Sequence, residues 1–400
     1  MVELTGCKDV ISVGAEHPDR SLFDCLMPLP HGTTYNSYLL RGSSKTVLID
    51  TVDPDKTEVL MNHLRSAGVD HLDVIVCLHT EQDHSGSIHR MMETWPGVRI
   101  MANAKVREMM GTHLHVPEAM IDLISEGDVL DLGGKSLKFT MIPFAHWPDN
   151  TMAYCEEDGV LFSSDLFGAH LAASGIQDIS DDMIMTAARS YYSEIMMPFR
   201  AQIARYTARV RAMRPRLIVP AHGPVWTHPD RILSAYEEWT SDHLSRLVTI
   251  PYISMHGSTL VMVERMAAGL RARGIEVRLH DLGSQPESLS LETGHMIYDL
   301  VDSAAIILAT PTVLTGPHPA TVYAAVTATA MRPKAKWFGM IGSYGWGSRA
   351  AETITALTAD LKAEKLEPLL VKGLPTEADL ERIDGYARAL ADRMDAAGIV

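Results

Sequence analysis

The chain has 400 residues, of which 46% are hydrophobic, so it is long and apolar enough to form two or three domains with sizeable cores. Its net charge of −15 argues against nucleic acid as a partner, because phosphate binding needs a basic face. The four cysteines form no CxxC pair, and we find neither a secretory leader nor an apolar run of membrane-spanning length. We therefore expect a cytoplasmic protein without membrane association.

The first half of the chain mixes strands with helices. Apolar and β-branched runs predict strands over residues 9–13, 34–40, 46–50, 74–78, 98–102 and 159–165, a strand–turn–strand over 129–142, and a strand that begins at 217. Helical spacing of apolar residues predicts helices over 55–67, 104–110 and 189–213, and another that begins at 88. Several of these strands end in histidine or acid residues.

The strand at residues 74–78 ends in four potential metal ligands within six residues, His79, Glu81, Asp83 and His84. If this loop is extended, the first three side chains point the same way and His84 points elsewhere, which suits two metal ions better than one. A polar loop with solvated charges is the alternative. Four ligands so close behind a buried strand favour a metal site.

Three later strands are followed by His146, Asp165 and His222. Each alone is more often structural, but their shared position after an apolar strand predicts one common site. Imidazole and carboxylate without thiolate suit zinc, iron or manganese. A carboxylate such as Asp165 can bridge two cations, and seven ligands serve two ions while leaving open positions for a small substrate.

These motifs resemble the metallo-β-lactamase superfamily, whose hydrolases usually have a histidine where this chain has Glu81. The Glu variant resembles the flavodiiron proteins (A-type flavoproteins), as do residues 146–149 (His-Trp-Pro-Asp), 165–168 (Asp-Leu-Phe-Gly) and 32–36 (Gly-Thr-Thr-Tyr-Asn). A harder, anionic oxygen ligand favours iron over zinc.

The resemblance implies two iron ions and assigns their ligands. One iron is held by His79, Glu81 and His146, the other by Asp83, His84 and His222, and Asp165 bridges them. His170 falls where the family keeps a further histidine near the site, and either a place beside the ligands or a purely structural role is compatible with its position.

The second half of the chain changes to alternating strands and helices. Strands are predicted over residues 248–252, 276–280, 304–309, 337–341 and 366–371, with a helix over 260–271, which is a flavodoxin-like five-stranded parallel sheet. The resemblance then implies two domains, a metallo-β-lactamase-like αββα sandwich that holds the diiron site at residues 1–247 and an FMN-binding domain at 248–400.

A hydroxyl-rich loop at residues 254–259 precedes a helix, where backbone N–H groups and hydroxyls can bind an anion. It lacks the lysine of a nucleoside triphosphate loop, so a monophosphate fits better than ATP, although an ordinary capped turn is also compatible. The loops at 310–316 and 343–347 also follow strands, and all three resemble the FMN-binding loops of the family. The implied FMN contacts are Ser254, Met255, His256, Gly257, Ser258, Thr259, Thr310, Pro311, Thr312, Val313, Leu314, Thr315, Gly316, Ser343, Tyr344, Gly345, Trp346 and Gly347.

The chain also departs from the family. Many members have asparagine where this chain has Leu314 and Thr315, and residues 24–30 lack the usual aromatic and histidine pattern. The flavin potential and the choice between O2 and NO therefore stay open. No rubredoxin-like extension with its cysteines follows, so we expect a separate electron donor, which is rubredoxin, another flavoprotein or a reduced deazaflavin.

Taken together, the resemblance implies a flavodiiron oxidoreductase that passes electrons from FMN to a diiron centre and reduces O2 to water, NO to N2O, or both. It also implies a head-to-tail homodimer, or a dimer of such dimers, with Trp346 near the junction. One alternative is a dinuclear zinc hydrolase of the metallo-β-lactamase superfamily, which would leave the FMN loops unused. Another is a redox carrier or sensor without turnover.

Overall fold

The computed structural model describes residues 2–4, 7, 9–174, 181–285 and 288–400. The chain divides into two compact units, Met1–Phe23 with Leu29–Thr240 and Asp24–Pro28 with Ser241–Val400. The predicted boundary after residue 247 falls inside a strand, Ser245–Tyr252, whose first residue already bonds to Asp302 through its backbone N–H and its hydroxyl. Among the described residues, no helix combines the length and the apolar character needed to cross a membrane.

The first unit contains two packed sheets. The first has seven strands in the order Val2–Glu3, Val10–Ser12, Tyr38–Arg41, Thr46–Ile49, Val74–Val76, Arg99–Ala102 and Ile121–Leu123, and the last four run parallel. The second has five, in the order Val129–Asp131, Ser136–Met141, Thr151–Cys155, Val160–Ser164 and Leu217–Pro220. Apolar side chains from both sheets form one core, in which Tyr38 lies 5.5 Å from Phe162 between ring centroids.

Helices lie between and outside these strands. The α-helices of the first unit are Thr57–Ser66, Gln82–Ser85, Ile88–Thr94, Ala104–His113, Asp181–Tyr191, Arg200–Met213 and Pro229–Thr240. A π-helical stretch, Tyr192–Met196, continues the helix that ends at Tyr191, and short 3-10 turns occupy Pro54–Lys56, Glu118–Met120 and Met197–Phe199. The outer face of the first sheet is covered by the helices around Ile88 and Val106.

The predicted strand over residues 34–40 is wrong as a single element. Its first part belongs to Thr33–Tyr35, which pairs with Ala15–His17, and its last part to Tyr38–Arg41 in the first sheet. Asn36 separates them because it leaves both ladders: its backbone N–H donates to Ala221 O, and its side-chain amide donates to Pro220 O at 2.9 Å and Gly223 O at 2.7 Å. Short strands also occupy Leu22–Phe23 and Met27–Pro28.

The second unit is built on one parallel sheet. Its order is Glu276–Asp281, Ser245–Tyr252, Ser303–Val313, Trp337–Tyr344, and then an outer position shared by Glu364–Lys365 and Leu369–Lys372. Only the second half of the predicted strand over 366–371 forms a strand, because residues 366–368 are a break in which Pro368 has no N–H to donate to a ladder. A small antiparallel hairpin joins Ser303–Val313 to Gly316–Pro317.

In the described part of this unit, five helices surround the sheet, Ser258–Arg271, Ser288–Asp299, Pro319–Ala330, Ala350–Leu357 and Glu377–Ala396. The first and the last pack together on one face, where Met266 and Leu390 share a core with the strand residue Ile250. Arg265 and Asp384 pair across them at 2.6 and 2.7 Å. Because the strands are parallel, the loops that follow their carboxyl ends meet at one edge of the sheet.

Replacing Asn36 by alanine should destabilise the first unit by about 2 kcal/mol, because the carbonyl of Gly223 would lose its side-chain donor, whereas that of Pro220 would retain the bond from the Tyr38 hydroxyl. Urea unfolding of the metal-free protein measures this change. Asn62→Ala is the matched control. The side chain of Asn62 is exposed and accepts a bond from Arg65, so its removal should change the free energy of unfolding by less than about 0.5 kcal/mol. Equal effects of the two substitutions would contradict the role given to Asn36.

Candidate dinuclear metal site and cofactor cavity

All seven side chains that the sequence predicts as metal ligands lie together at the ends of strands in the first unit. They form three overlapping groups whose ligand atoms lie within 4.8 Å of one another: His79, Glu81 and His146; Asp83, His84 and His222; His79, His84 and Asp165. Six of the seven are buried, and His146 is nearly so. The strands thus bring distant parts of the sequence to one place.

The loop after the strand Val74–Val76 is not extended, as the alternation of ligands had suggested. Residues Gln82–Ser85 form a single helical turn, in which Ser85 N–H donates to Glu81 O at 3.0 Å. The turn sends Asp83 and His84 together towards His222, whereas the preceding His79 and Glu81 face His146. The extended loop that would place His79, Glu81 and Asp83 on one side is therefore not formed.

Asp165 lies at the centre of the cluster. Its Oδ2 is 3.2 Å from His146 Nε2 and 3.5 Å from His79 Nε2, while its Oδ1 is 3.0 Å from His84 Nε2 and 3.4 Å from His222 Nε2. Each carboxylate oxygen therefore faces a different pair of imidazoles. This is the arrangement that a carboxylate shared between two cations requires.

Three of the four imidazoles are oriented by oxygen atoms outside the cluster. His79 Nδ1 lies 3.1 Å from both oxygens of Asp149, and His84 Nδ1 lies 3.4 Å from Asp50 Oδ2. His222 Nδ1 lies 2.6 Å from the backbone oxygen of Thr34. A ring that donates Nδ1–H to an oxygen presents the lone pair of Nε2 on its other side, which is the form that binds a metal ion.

Sequence reasoning gave no role to the two acids that hold these rings. Asp50 directly follows the strand Thr46–Ile49 and also accepts from Leu78 N–H at 2.7 Å. Asp149 also accepts from the N–H and hydroxyl of Thr80 at 2.8 and 2.7 Å. For Asp50, the signal that could have identified it is the one used for Asp165, an acid immediately after an apolar strand.

Unpaired polar atoms indicate what the cluster can hold. Both carboxylate oxygens of Asp83 are buried without a hydrogen bond of good geometry. Burying a carboxylate without donors is costly unless a cation compensates for it. Four imidazoles and three carboxylates without thiolate are a donor set suited to two first-row metal ions such as iron, so the residues present fit the predicted diiron centre.

In the absence of metal, protons take the place of the cations. Burial alone would lower the pKa of His79, but hydrogen bonds to Asp149 and Glu81 outweigh it and raise that pKa to about 10. Burial also opposes charge on His222, yet its contacts with Asp165 and Asp83 raise its pKa to about 9. For the Asp165 carboxyl, burial raises the pKa but the surrounding histidines, His84 first, lower it well below its usual range.

A cavity of about 330 Å³ lies at the carboxyl ends of the parallel strands in the second unit. This volume is within the range of small-molecule sites. Eleven of the predicted FMN contacts line it: Ser254, Met255, His256, Ser258, Thr259, Pro311, Thr312, Ser343, Tyr344, Gly345 and Trp346. Gly373 also lines it and was not predicted, although it follows the last strand of the sheet as the other loops follow theirs.

Seven of the predicted contacts are not among the residues that line the cavity: Gly257, Thr310, Val313, Leu314, Thr315, Gly316 and Gly347. Thr310 is buried within the sheet, where its hydroxyl accepts from His318 N–H and from the hydroxyl of Thr321. Leu314 and Thr315 form the hairpin turn that ends at Gly316, and the side chain of Leu314 is 90% exposed.

One end of the cavity is formed by the start of the helix Ser258–Arg271. The preceding Gly257 has a φ of +86° and provides no side-chain cap, so the N–H groups of Ser258 and Thr259 are left for a ligand. Ser254 Oγ accepts from the N–H groups of Gly257 and Leu260, both at 3.2 Å. The aromatic rings of Tyr344 and Trp346 lie at the same cavity, so it offers both an anion site and flat apolar faces, which fits FMN.

Comparisons with known proteins agree with this arrangement. The family model described as "ODP family beta lactamase" matches residues 33–223. The chain is 34% identical over 299 residues to the coenzyme F420H(2) oxidase of Methanothermobacter marburgensis, covering 72% of each chain. It is 32% identical over 374 residues to the nitric oxide reductase of Moorella thermoacetica, covering 91% of each.

Solved structures resemble it over nearly the whole chain. Rubredoxin oxygen:oxidoreductase from Desulfovibrio gigas superposes with a TM-score of 0.90 at 26% identity over 98% of both chains. The flavodiiron protein from Giardia intestinalis gives a TM-score of 0.90 at 25% identity, over 99% of this chain and 97% of that one.

The chain belongs to the flavodiiron protein family. The predicted fold class, a metallo-β-lactamase-like sandwich followed by a flavodoxin-like parallel sheet, is confirmed. The prediction of an oxidoreductase is confirmed as well, and the zinc hydrolase alternative is not favoured.

The metal-free protein should become less stable as the pH rises from about 6.5 to about 10. His79 and His222 have folded-state pKa values of about 10 and about 9, above the ordinary value of 6.5. Above pH 6.5 the unfolded chain has released protons that the folded chain still holds, so the free energy of unfolding falls with pH. Urea unfolding across this range measures the slope. Asp149→Asn should flatten it, and a stability that is constant or rises over this range would contradict the assignment.

Proposed function

We propose that the chain reduces O2, NO or both, with two iron ions held by the seven clustered side chains and FMN held in the cavity of the second unit. When bound, these groups supply the electrons and the open coordination positions for the reduction. The observation that best supports the proposal is the carboxylate of Asp165, each of whose oxygens faces its own set of ligands. The relatives named as NO reductase and F420H(2) oxidase support the substrate class.

The protein's own contribution at the metal site is to fix donors in advance. In the proposed arrangement, His79, Glu81 and His146 would hold one iron and Asp83, His84 and His222 the other, and Asp165 would serve both. Tyr191 donates its hydroxyl proton to Asp165 Oδ1 at 3.1 Å. Burial raises the pKa of Tyr191 well above its usual range, so the hydroxyl remains a neutral donor to this carboxylate.

The second unit is proposed to bind FMN in two parts. N–H groups at the start of the helix Ser258–Arg271, with the hydroxyls of Ser258 and Thr259, would hold the phosphate. Tyr344 and Trp346 would lie beside the ring system. A zinc hydrolase would not need a cavity that binds FMN, so we do not favour that alternative.

Electrons are proposed to come from a separate donor, which is rubredoxin, another flavoprotein or a reduced deazaflavin. The relatives named rubredoxin oxygen:oxidoreductase and F420H(2) oxidase support donors of these classes. We further propose a cytoplasmic head-to-tail homodimer, or a dimer of such dimers, with Trp346 at the junction. The side chain of Trp346 is 86% exposed, so it is accessible to a second copy of the chain. A monomer with full turnover would count against this assembly.

Anaerobically purified protein should contain two irons and one FMN per chain, measured by elemental analysis and visible absorption. His222→Ala should retain about one iron, because only one of the two ligand sets loses a donor. His228→Ala is the matched control, since this histidine is exposed on the same loop and should leave two irons. Two zinc ions without flavin in the wild-type protein would contradict the proposal.

Ser258→Asp should weaken FMN binding by at least about tenfold, because a carboxylate at the start of the helix repels the phosphate. Ser258→Asn is nearly the same size but neutral, and should change the affinity little. Titration of the flavin-free protein by fluorescence quenching measures both. Riboflavin, which lacks the phosphate, serves as the second control, and equal losses for FMN and riboflavin would show that the phosphate binds elsewhere.

A further inference from the structure

His170 lies beside the metal cluster but belongs to none of its ligand sets. Its side chain is only 7% exposed, and its ring is packed among Phe23 and Tyr191, each 4.9 Å away, and His222 at 5.2 Å, measured between ring centroids. Two of these neighbours belong to the site, since His222 is a candidate ligand and Tyr191 bonds to Asp165. The ring therefore lies directly against two residues of the site.

Hydrogen bonds determine which nitrogen of His170 carries the proton. Nδ1 lies 2.9 Å from Thr33 Oγ1, and the same hydroxyl donates to the backbone oxygen of Thr34 at 3.3 Å. A hydroxyl has one proton, so Thr33 accepts from the Nδ1–H of His170. The lone pair of the ring is then on Nε2.

Nε2 of His170 is buried and makes no hydrogen bond within the described chain. Buried polar atoms are nearly always paired, so an unpaired acceptor next to a binding site indicates a missing partner. The partner must be a donor. Neither ring nitrogen of His170 is hydrogen-bonded to a carboxylate within the described chain, and a buried imidazolium without an anionic partner is costly, so the ring is a neutral acceptor.

We infer that His170 Nε2 accepts a hydrogen bond from an O–H or N–H group of a small molecule bound at the metal site. This inference rests on the proposed function. O2 and NO carry no proton, whereas the water formed from either does, so the bond can form only after protons have been added to the reacting atoms. His170 then stabilises the protonated stages of the reduction relative to the substrates.

Two substitutions test the roles of the two ring nitrogens separately. Asparagine places its polar group near the position of Nδ1, so His170→Asn retains a partner for Thr33 and loses the acceptor at Nε2. Glutamine reaches the position of Nε2, so His170→Gln retains the acceptor and loses the contact with Thr33. If His170 is purely structural, asparagine should preserve the properties of the wild-type protein better than glutamine does. If His170 binds a ligand through Nε2, glutamine should preserve ligand binding better than asparagine does.

The test uses the FMN-containing full chain loaded with cobalt(II), whose visible bands beyond those of the flavin report ligand binding without turnover. Hydroxylamine is the probe with O–H and N–H groups, and azide is the probe without a proton. His170→Asn should raise the Kd for hydroxylamine about fivefold, the effect of one hydrogen bond, and leave azide within about twofold. His170→Gln should leave both probes within about twofold.

Equal weakening of hydroxylamine and azide by His170→Asn, or no change with either, would overturn the inference about His170 while leaving the metal site intact. A wild-type chain that takes up fewer than two cobalt ions would overturn the metal site and, with it, the inference. The two failures are distinguished by elemental analysis of the same samples.

Discussion

The structure of the first unit depends on how one buried carboxylate is compensated. Asp165 is buried, and four imidazole nitrogens lie within 3.5 Å of its two carboxylate oxygens. Two further carboxylates, Glu81 and Asp83, lie in the same cluster. Such a concentration of anions and lone pairs away from water is unfavourable without cations among them. Either protons or metal ions must therefore complete the fold at this point.

The surrounding chain is arranged to hold these groups at some cost in backbone energy. Five residues that are not glycine adopt positive φ values next to the ligands or within the loops that carry them: Asp50, Phe144, His146, Ser164 and Phe167. Conformations of this kind cost of the order of 1 kcal/mol or more each and persist only where the surrounding packing and hydrogen bonds impose them. Here the two packed sheets supply that constraint, and the strain is confined to strand ends where the donors must turn inwards.

Much of the fold and the candidate ligands could be predicted, because apolar strands have a clear period and clusters of histidine and acid are chemically unusual. What escaped prediction depends on tertiary contacts. Asn36 breaks a strand because its side chain bonds to Pro220 and Gly223. These partners are more than 180 residues away, so the local sequence gives no sign of the break. The helical turn at Gln82–Ser85 overrides an alternating pattern that is too short to define an element. In the second unit, which residues line the cavity depends on the path of the backbone and the shape of the loops, which side-chain identity does not reveal.

The hairpin turn at Leu314 and Thr315 shows where local and long-range requirements differ. A type I′ hairpin turn needs positive φ at both central positions, and these residues adopt +48° and +69° although neither is asparagine or glycine. The strand pairs Thr312 with Pro317 and Val313 with Gly316, and Thr315 O accepts from Arg349 N–H at 2.6 Å, so the flanking structure imposes the turn. The backbone thus gains nothing from leucine at position 314. Leucine at position 314 therefore follows neither from the geometry of the turn nor from burial within the chain.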